Sequence, residues 1–123
     1  MNEWADMLMH LETFSELNES NWDGYGAHPI TPEVVDRARE FLKAAQQAGI
    51  LVPCDVTPTN QGEINIAWET SEIIEEAFYA EIEVAPDSYT GYIETDQGPI
   101  FLGSRKLDEA VEALKRGLEM WER

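Results

Sequence analysis

Two histidines and one cysteine are the side chains of this sequence best suited to making or breaking bonds. His10 and His28 have the chemistry of general acids and bases near neutral pH, and Cys54 that of a thiolate nucleophile or soft metal ligand. Neither histidine has a second His or Cys at a ligand spacing such as i+4, so a zinc site is not expected. His10 falls beside the apolar stripe of an N-terminal helix and His28 precedes Pro29 in a loop, so both read as structural. Cys54 has no identifiable base near it and reads as a small buried hydrophobe. Carboxylates pair everywhere along the chain, and that abundance removes their diagnostic value. General-acid catalysis requires one carboxyl desolvated in a pocket, and nothing singles out such a pair. The sequence has no phosphate-binding glycine loop, no G-x-S-x-G and no calcium-loop spacing of acids. The expectation is no catalytic residue, no metal ligand, no cofactor and no enzyme. A small hydrolase using His28 or a carboxylate pair stands as a distant alternative.

Charge is the outstanding feature. Among 123 residues, 25 Asp and Glu stand against 8 Lys and Arg, for a net charge of −17 and an isoelectric point near 4.2. Residues 1–36 and 44–104 contain no Lys or Arg, and the second stretch holds eleven acids. Such a field repels phosphate backbones and speeds encounter with basic surfaces, so the partner expected is a basic protein and not nucleic acid itself. Hydrophobic content of 43% with 10% aromatics is enough for a folded core, so the acidity does not mark a disordered tail. The length suits one domain over 1–123. Met1 to Asn18 shows no basic region followed by an apolar run, apolar stretches are far short of the roughly 20 residues a membrane span requires, and one cysteine makes no internal disulfide. A cytoplasmic protein that avoids membranes is expected.

The elements that position these charges follow from periodicity. Trp4, Met7, Leu8, Leu11 and Phe14 recur at helical spacing and predict a first helix from about Glu3 to Leu17. Asn18 to Ile30 holds two glycines and Pro29 and reads as an ordered loop. Thr31 as N-cap and Pro32 at the first helical position open a second helix with the stripe Val34, Val35, Ala38, Phe41, Leu42 and Ala45, closed by Gly49. Strands are expected at Cys54–Thr59 and Glu63–Glu69, joined by the turn Asn60-Gln61-Gly62, then at Phe78–Val84 and Tyr89–Thr95. Ile73 to Ala80 has an alternative helical start. Gln97-Gly98-Pro99 reads as a turn and Ile100-Phe101-Leu102 as a fifth short strand or a packed connector. Leu107, Ala110, Val111, Leu114, Leu118 and Trp121 predict a final helix over about Leu107–Trp121, slightly weakened by Gly117. Short strands with tight turns pair antiparallel, so the fold class is α+β: an antiparallel four- or five-stranded sheet with two N-terminal helices and one C-terminal helix on one face.

On that sheet, alternation sends Glu63, Glu69, Glu81, Glu83, Glu94 and Asp96 to solvent together with Tyr79 and Tyr92, and Glu72, Glu75 and Glu76 extend the patch. Carboxylates at i and i+2 of a strand stand about 6.6 Å apart, a spacing comparable to successive phosphates of a nucleic-acid strand. Like charges on neighbouring strands destabilise a sheet, so the arrangement has a cost. These eleven residues are the candidate partner-binding set for a phosphate-mimicking surface, with the tyrosines as anchors.

The element Asn21-Trp22-Asp23-Gly24-Tyr25-Gly26-Ala27, with Pro29, the Pro32-led helix and the hairpin carrying Asp55-Val56-Thr57-Pro58 and Glu63 to Glu69, resembles a widespread family of small uncharacterised bacterial proteins over roughly residues 18–95. The resemblance implies a fold and supplies no mechanism. In size and charge alone the chain also resembles DNA-mimicking anti-CRISPR inhibitors. The leading expectation is an acidic inhibitor or masking protein for a basic nucleic-acid-processing partner such as a defence nuclease or its complex. The alternative is an antitoxin-like or immunity-like protein that binds its partner through Trp22, Asp23 and Tyr25, although that loop also reads as a structural turn and plug. A homodimer is compatible with either.

Overall fold

Thr31 sets the start of the longest helix. In the computed structural model, which describes residues 3–70, 78–95 and 98–121, Thr31 is extended (φ −77°, ψ 156°) and its hydroxyl accepts a 3.4 Å hydrogen bond from the Val34 amide. That amide is one of the donors a helix start leaves unpaired. Helix α2 then runs Pro32–Gln47 and buries the whole expected stripe, Val34, Val35, Ala38, Phe41, Leu42 and Ala45. Gly49 follows it at φ 81°, where the Gly49 amide bonds the Gln46 carbonyl and the Ile50 amide bonds the Ala45 carbonyl.

The first helix is shorter than its periodicity predicts. Helix α1 spans Glu3–Glu12 and gives way to a 3-10 turn over Thr13–Glu16. The cause lies in two hydroxyls: Thr13 Oγ1 donates to the His10 carbonyl at 2.6 Å and Ser15 Oγ to the Glu12 carbonyl at 2.9 Å. Such local bonds compete with the helical ladder. The apolar face still reaches the core through buried Leu11 and Phe14.

Five strands form one antiparallel sheet in sequence order: β1 Asp55–Pro58, β2 Ile64–Thr70, β3 Phe78–Val84, β4 Tyr89–Thr95 and β5 Gly98–Ser104. β1 and β2 are each offset slightly from the expected limits, and β3 and β4 match them. The connector between Ile100 and Leu102 is a full strand, and Gly98 and Pro99 belong to it instead of to a turn. Proline is tolerated there because, among the described residues, β5 pairs only with β4 and is a sheet edge. The alternative helical start over 73–77 lies outside the described residues.

Helix α3, Leu107–Trp121, lies against β4 and β5, while α1 and α2 meet β1, β2 and β3. All three therefore cover the same face, through the buried strand residues Val56, Ile64, Ile66, Trp68, Ala80, Ile82, Val84, Tyr89 and Ile93. Phe41 joins helix to sheet, with ring centroids 6.4 Å from Trp68 and 5.6 Å from Tyr89. Two glycines permit close approach. A Cβ at Gly91 would strike the Glu81 carbonyl oxygen, and one at Gly117 would lie 2.5 Å from Ile93 Cδ1, so Gly117 is where α3 seats on β4. Cys54 departs from expectation: it is exposed just before β1, with its Sγ donating to the Ala67 carbonyl at 3.3 Å.

Candidate partner-docking face

With the helices on one side, none of the described elements covers the other side of the sheet, and the strand register fixes which residues share it. One row runs Asp55, Ala67, Glu81, Tyr92, Phe101 across all five strands. The row on one side of it is Thr57, Asn65, Glu83, Thr90, Gly103, and on the other Glu69, Tyr79, Glu94, Pro99. Every strand falls within the stretch 44–104 that lacks Lys, Arg and His, so no residue of the sheet can neutralise these acids.

Six of the expected residues are brought together: Glu63, Tyr79, Glu81, Glu83, Tyr92 and Glu94. Glu94 is exposed and the other five are half-buried. The backbone of Glu69 occupies the same face, opposite Tyr79, but its side chain lies outside the described residues. Glu72, Glu75, Glu76 and Asp96 also lie outside them.

Two local interactions shape the charge. Tyr79 donates its phenol proton to Glu81 Oε2 at 2.8 Å, which holds that carboxylate over the strand. Glu63 leans against Glu83: partial burial, the Glu83 charge and a hydrogen bond between the two raise its carboxyl above the ordinary range. The Tyr92 phenol is raised in the same way, first by desolvation and then by the charges of Glu81 and Glu94.

The sequence reading did not include Phe101. Its ring is 77% exposed and completes a diagonal ladder, with Tyr79 to Tyr92 at 5.6 Å and Tyr92 to Phe101 at 6.2 Å between centroids. The signal was present in the apolar run Ile100-Phe101-Leu102, which, once read as a strand, sets Phe101 opposite Tyr92 on the open face.

The loop Asn21 to Ala27 is knotted by its own polar groups. Asp23 Oδ1 accepts from the amides of Tyr25 (2.8 Å) and Ala27 (3.2 Å), and Asn21 Oδ1 accepts from the Gly26 amide at 2.6 Å. Asn21 itself takes a positive φ of 65°, as do Gly24 and Gly26. Trp22 packs against the core and donates its indole proton to the His28 carbonyl at 2.7 Å. Two of the three alternative partner-binding residues are thus occupied in holding the loop, and Tyr25 alone projects, at 92% exposure.

His10 Nε2 lies 3.0 Å from the Val56 carbonyl and its ring meets Phe14 edge-on, a tie between α1 and β1. The grooves flanking α3, one of about 420 Å³ lined by Ala44, Ala48, Leu107, Val111 and Lys115 among others, are open and contain no histidine. Among the described residues no three His, Cys, Asp or Glu side chains converge as a metal ion would require, and no helix is long and apolar enough to cross a membrane. No family model, curated protein or solved structure matches the chain.

Proposed function

We propose that the chain is a non-enzymatic, cytoplasmic inhibitor or masking protein that docks its open sheet face on a basic nucleic-acid-processing protein, in the manner of a nucleic-acid mimic. The single observation that carries this reading is a five-stranded face presenting Glu63, Glu81, Glu83 and Glu94 without one basic residue on the sheet. A face needed only for solubility would gain stability from interspersed Lys, because opposite charges across strands stabilise and like charges destabilise. The partner's Lys and Arg, having evolved to meet phosphates, would meet these carboxylates at similar spacing, and the long-range field would speed the encounter.

The test is affinity capture from a cell lysate at low salt, with the charge-reversed variant E81K/E83K/E94K beside the wild type. The wild type is expected to retain nucleic-acid-binding proteins that the variant does not retain. Equal retention by a variant whose circular dichroism matches the wild type would overturn the proposal. A second reading, an antitoxin-like or immunity-like contact through the loop, is favoured by one observation, the projecting ring of Tyr25 on a rigid turn. Tyr25→Ser separates the two, since it removes capture only under the second reading.

A further inference from the structure

We propose that the ladder Tyr79, Tyr92 and Phe101 is an arginine-selective subsite, on which guanidinium groups of the partner stack while the flanking carboxylates of Glu81 and Glu94 neutralise them. The inference rests on the docking face proposed above and deepens it by naming the side-chain chemistry that the face selects. Phe101 has no role in the core: it is 77% exposed, and with Tyr92 and Tyr79 it makes a contiguous aromatic patch of the kind that marks an interaction surface. Its neighbour across the strand is Tyr92, and Tyr79 follows diagonally, so the three rings form one track that runs to β5, the last strand of the sheet among the described residues. Carboxylates border that track. Glu81 shares the Tyr92–Phe101 row and is held by the Tyr79 hydroxyl at 2.8 Å, and Glu94 faces Tyr79 from β4.

Aromatic faces framed by fixed negative charge discriminate between the two basic side chains. Guanidinium is planar, weakly hydrated and able to stack while its edge donates to carboxylates; ammonium is a strongly hydrated point charge that gains less from a ring. Among the described residues a guanidinium already meets a ring in this way, with Arg37 5.6 Å from the centre of the Tyr89 ring. Base stacking on the same rings is disfavoured because the nucleic-acid backbone would have to approach an uncompensated acidic sheet. The occupant is therefore an extended, arginine-bearing protein segment.

Two capped twelve-residue peptides, identical except for Arg or Lys at alternate positions, test this by titration calorimetry at low salt. Wild type is expected to bind the arginine peptide about two- to fivefold more tightly for each guanidinium that stacks. Y92T/F101T is expected to bind both peptides equally, at the affinity wild type has for the lysine peptide. F101T alone, which alters an exposed ring, should lose part of the preference with the fold intact. E81Q/E83Q/E94Q is expected to lose both peptides. Equal affinities in wild type, no binding of either peptide by wild type, or a preference that survives in Y92T/F101T would overturn the arginine subsite. Undiminished binding by the triple Gln variant would instead overturn the acidic docking face beneath it.

Discussion

Glu63→Gln should make this protein more stable at neutral pH, because the wild-type carboxylate is a liability to the fold. Glu63 sits half-buried against Glu83, and desolvation, the Glu83 charge and their hydrogen bond all raise its carboxyl above the ordinary value of 4.5. When an acid is raised in the folded state, the penalty is absent below the unfolded-state value, grows as pH rises, and is complete above the folded-state value. Like charges meeting across strands cost about 0.2–1 kcal/mol, and solvent screening of this half-buried pair places the effect near the middle, about 0.5 kcal/mol. At about 4 °C per kcal/mol for a chain of this size, the melting temperature at pH 7 should rise by about 2 °C. The new amide can also donate to Glu83, which the ionised carboxylate cannot. Circular dichroism melts at pH 7 and pH 3.5 are the assay: the gain should be present at the first and absent at the second. A variant no more stable at pH 7, or one whose gain persists at pH 3.5, would show that the Glu63–Glu83 repulsion does not burden the fold. Glu63→Gln with Glu83→Gln should add less than the sum of the two singles, since either change relieves the same repulsion.

Gly117→Ala gains about 1 kcal/mol of helix propensity yet should lower the urea midpoint, because its Cβ would lie 2.5 Å from Ile93 Cδ1 and 2.9 Å from Cγ2, and overpacking of that kind costs about 1–3 kcal/mol. Trp22→Phe removes the indole donor from the His28 carbonyl and should cost about 1 kcal/mol in thermal unfolding, with partner capture unchanged. Arg39 bonds Glu12 at 2.6 Å and Asp36 on its own helix, and its hydrogen bond holds the Glu12 carboxyl below the ordinary value. That contribution is present above the unfolded-state value and lost as pH falls through the folded-state value. Arg39→Met should therefore cost about 0.3–1 kcal/mol at pH 7 and nothing at pH 2, as read by urea unfolding at both.

Much of this architecture is legible in the sequence because it is written in period. The α2 stripe, the Thr31-Pro32 start and the alternation of β3 and β4 are each set by local spacing that one core face must satisfy. The end of α1 was not legible, since nothing in apolar spacing reveals that Thr13 and Ser15 hydroxyls will take helix carbonyls. β5 was missed in extent because Gly98-Pro99 is a turn signal anywhere except at a sheet edge, and edge position is a property of the whole topology. Phe101 was missed for the same reason: a residue cannot be assigned a face before its strand is known. The acidic face, by contrast, needed only alternation and the base-free stretch 44–104, although the Tyr79–Glu81 tether and the Glu63–Glu83 contact require the three-dimensional register. Gly117 weakened a helix on propensity alone; its value appears only when Ile93 is seen beneath it.

If carboxylates of the open sheet stand in for phosphates, the protein and nucleic acid must compete for one surface of the partner. With a partner captured by the wild-type protein, its affinity is determined against salt concentration, in the absence and presence of a DNA or RNA duplex that the partner binds. Affinity should fall steeply as salt rises, and binding should be mutually exclusive, so that duplex displaces the protein and the protein displaces duplex. A ternary complex of partner, duplex and protein, or affinity indifferent to salt, would contradict phosphate mimicry.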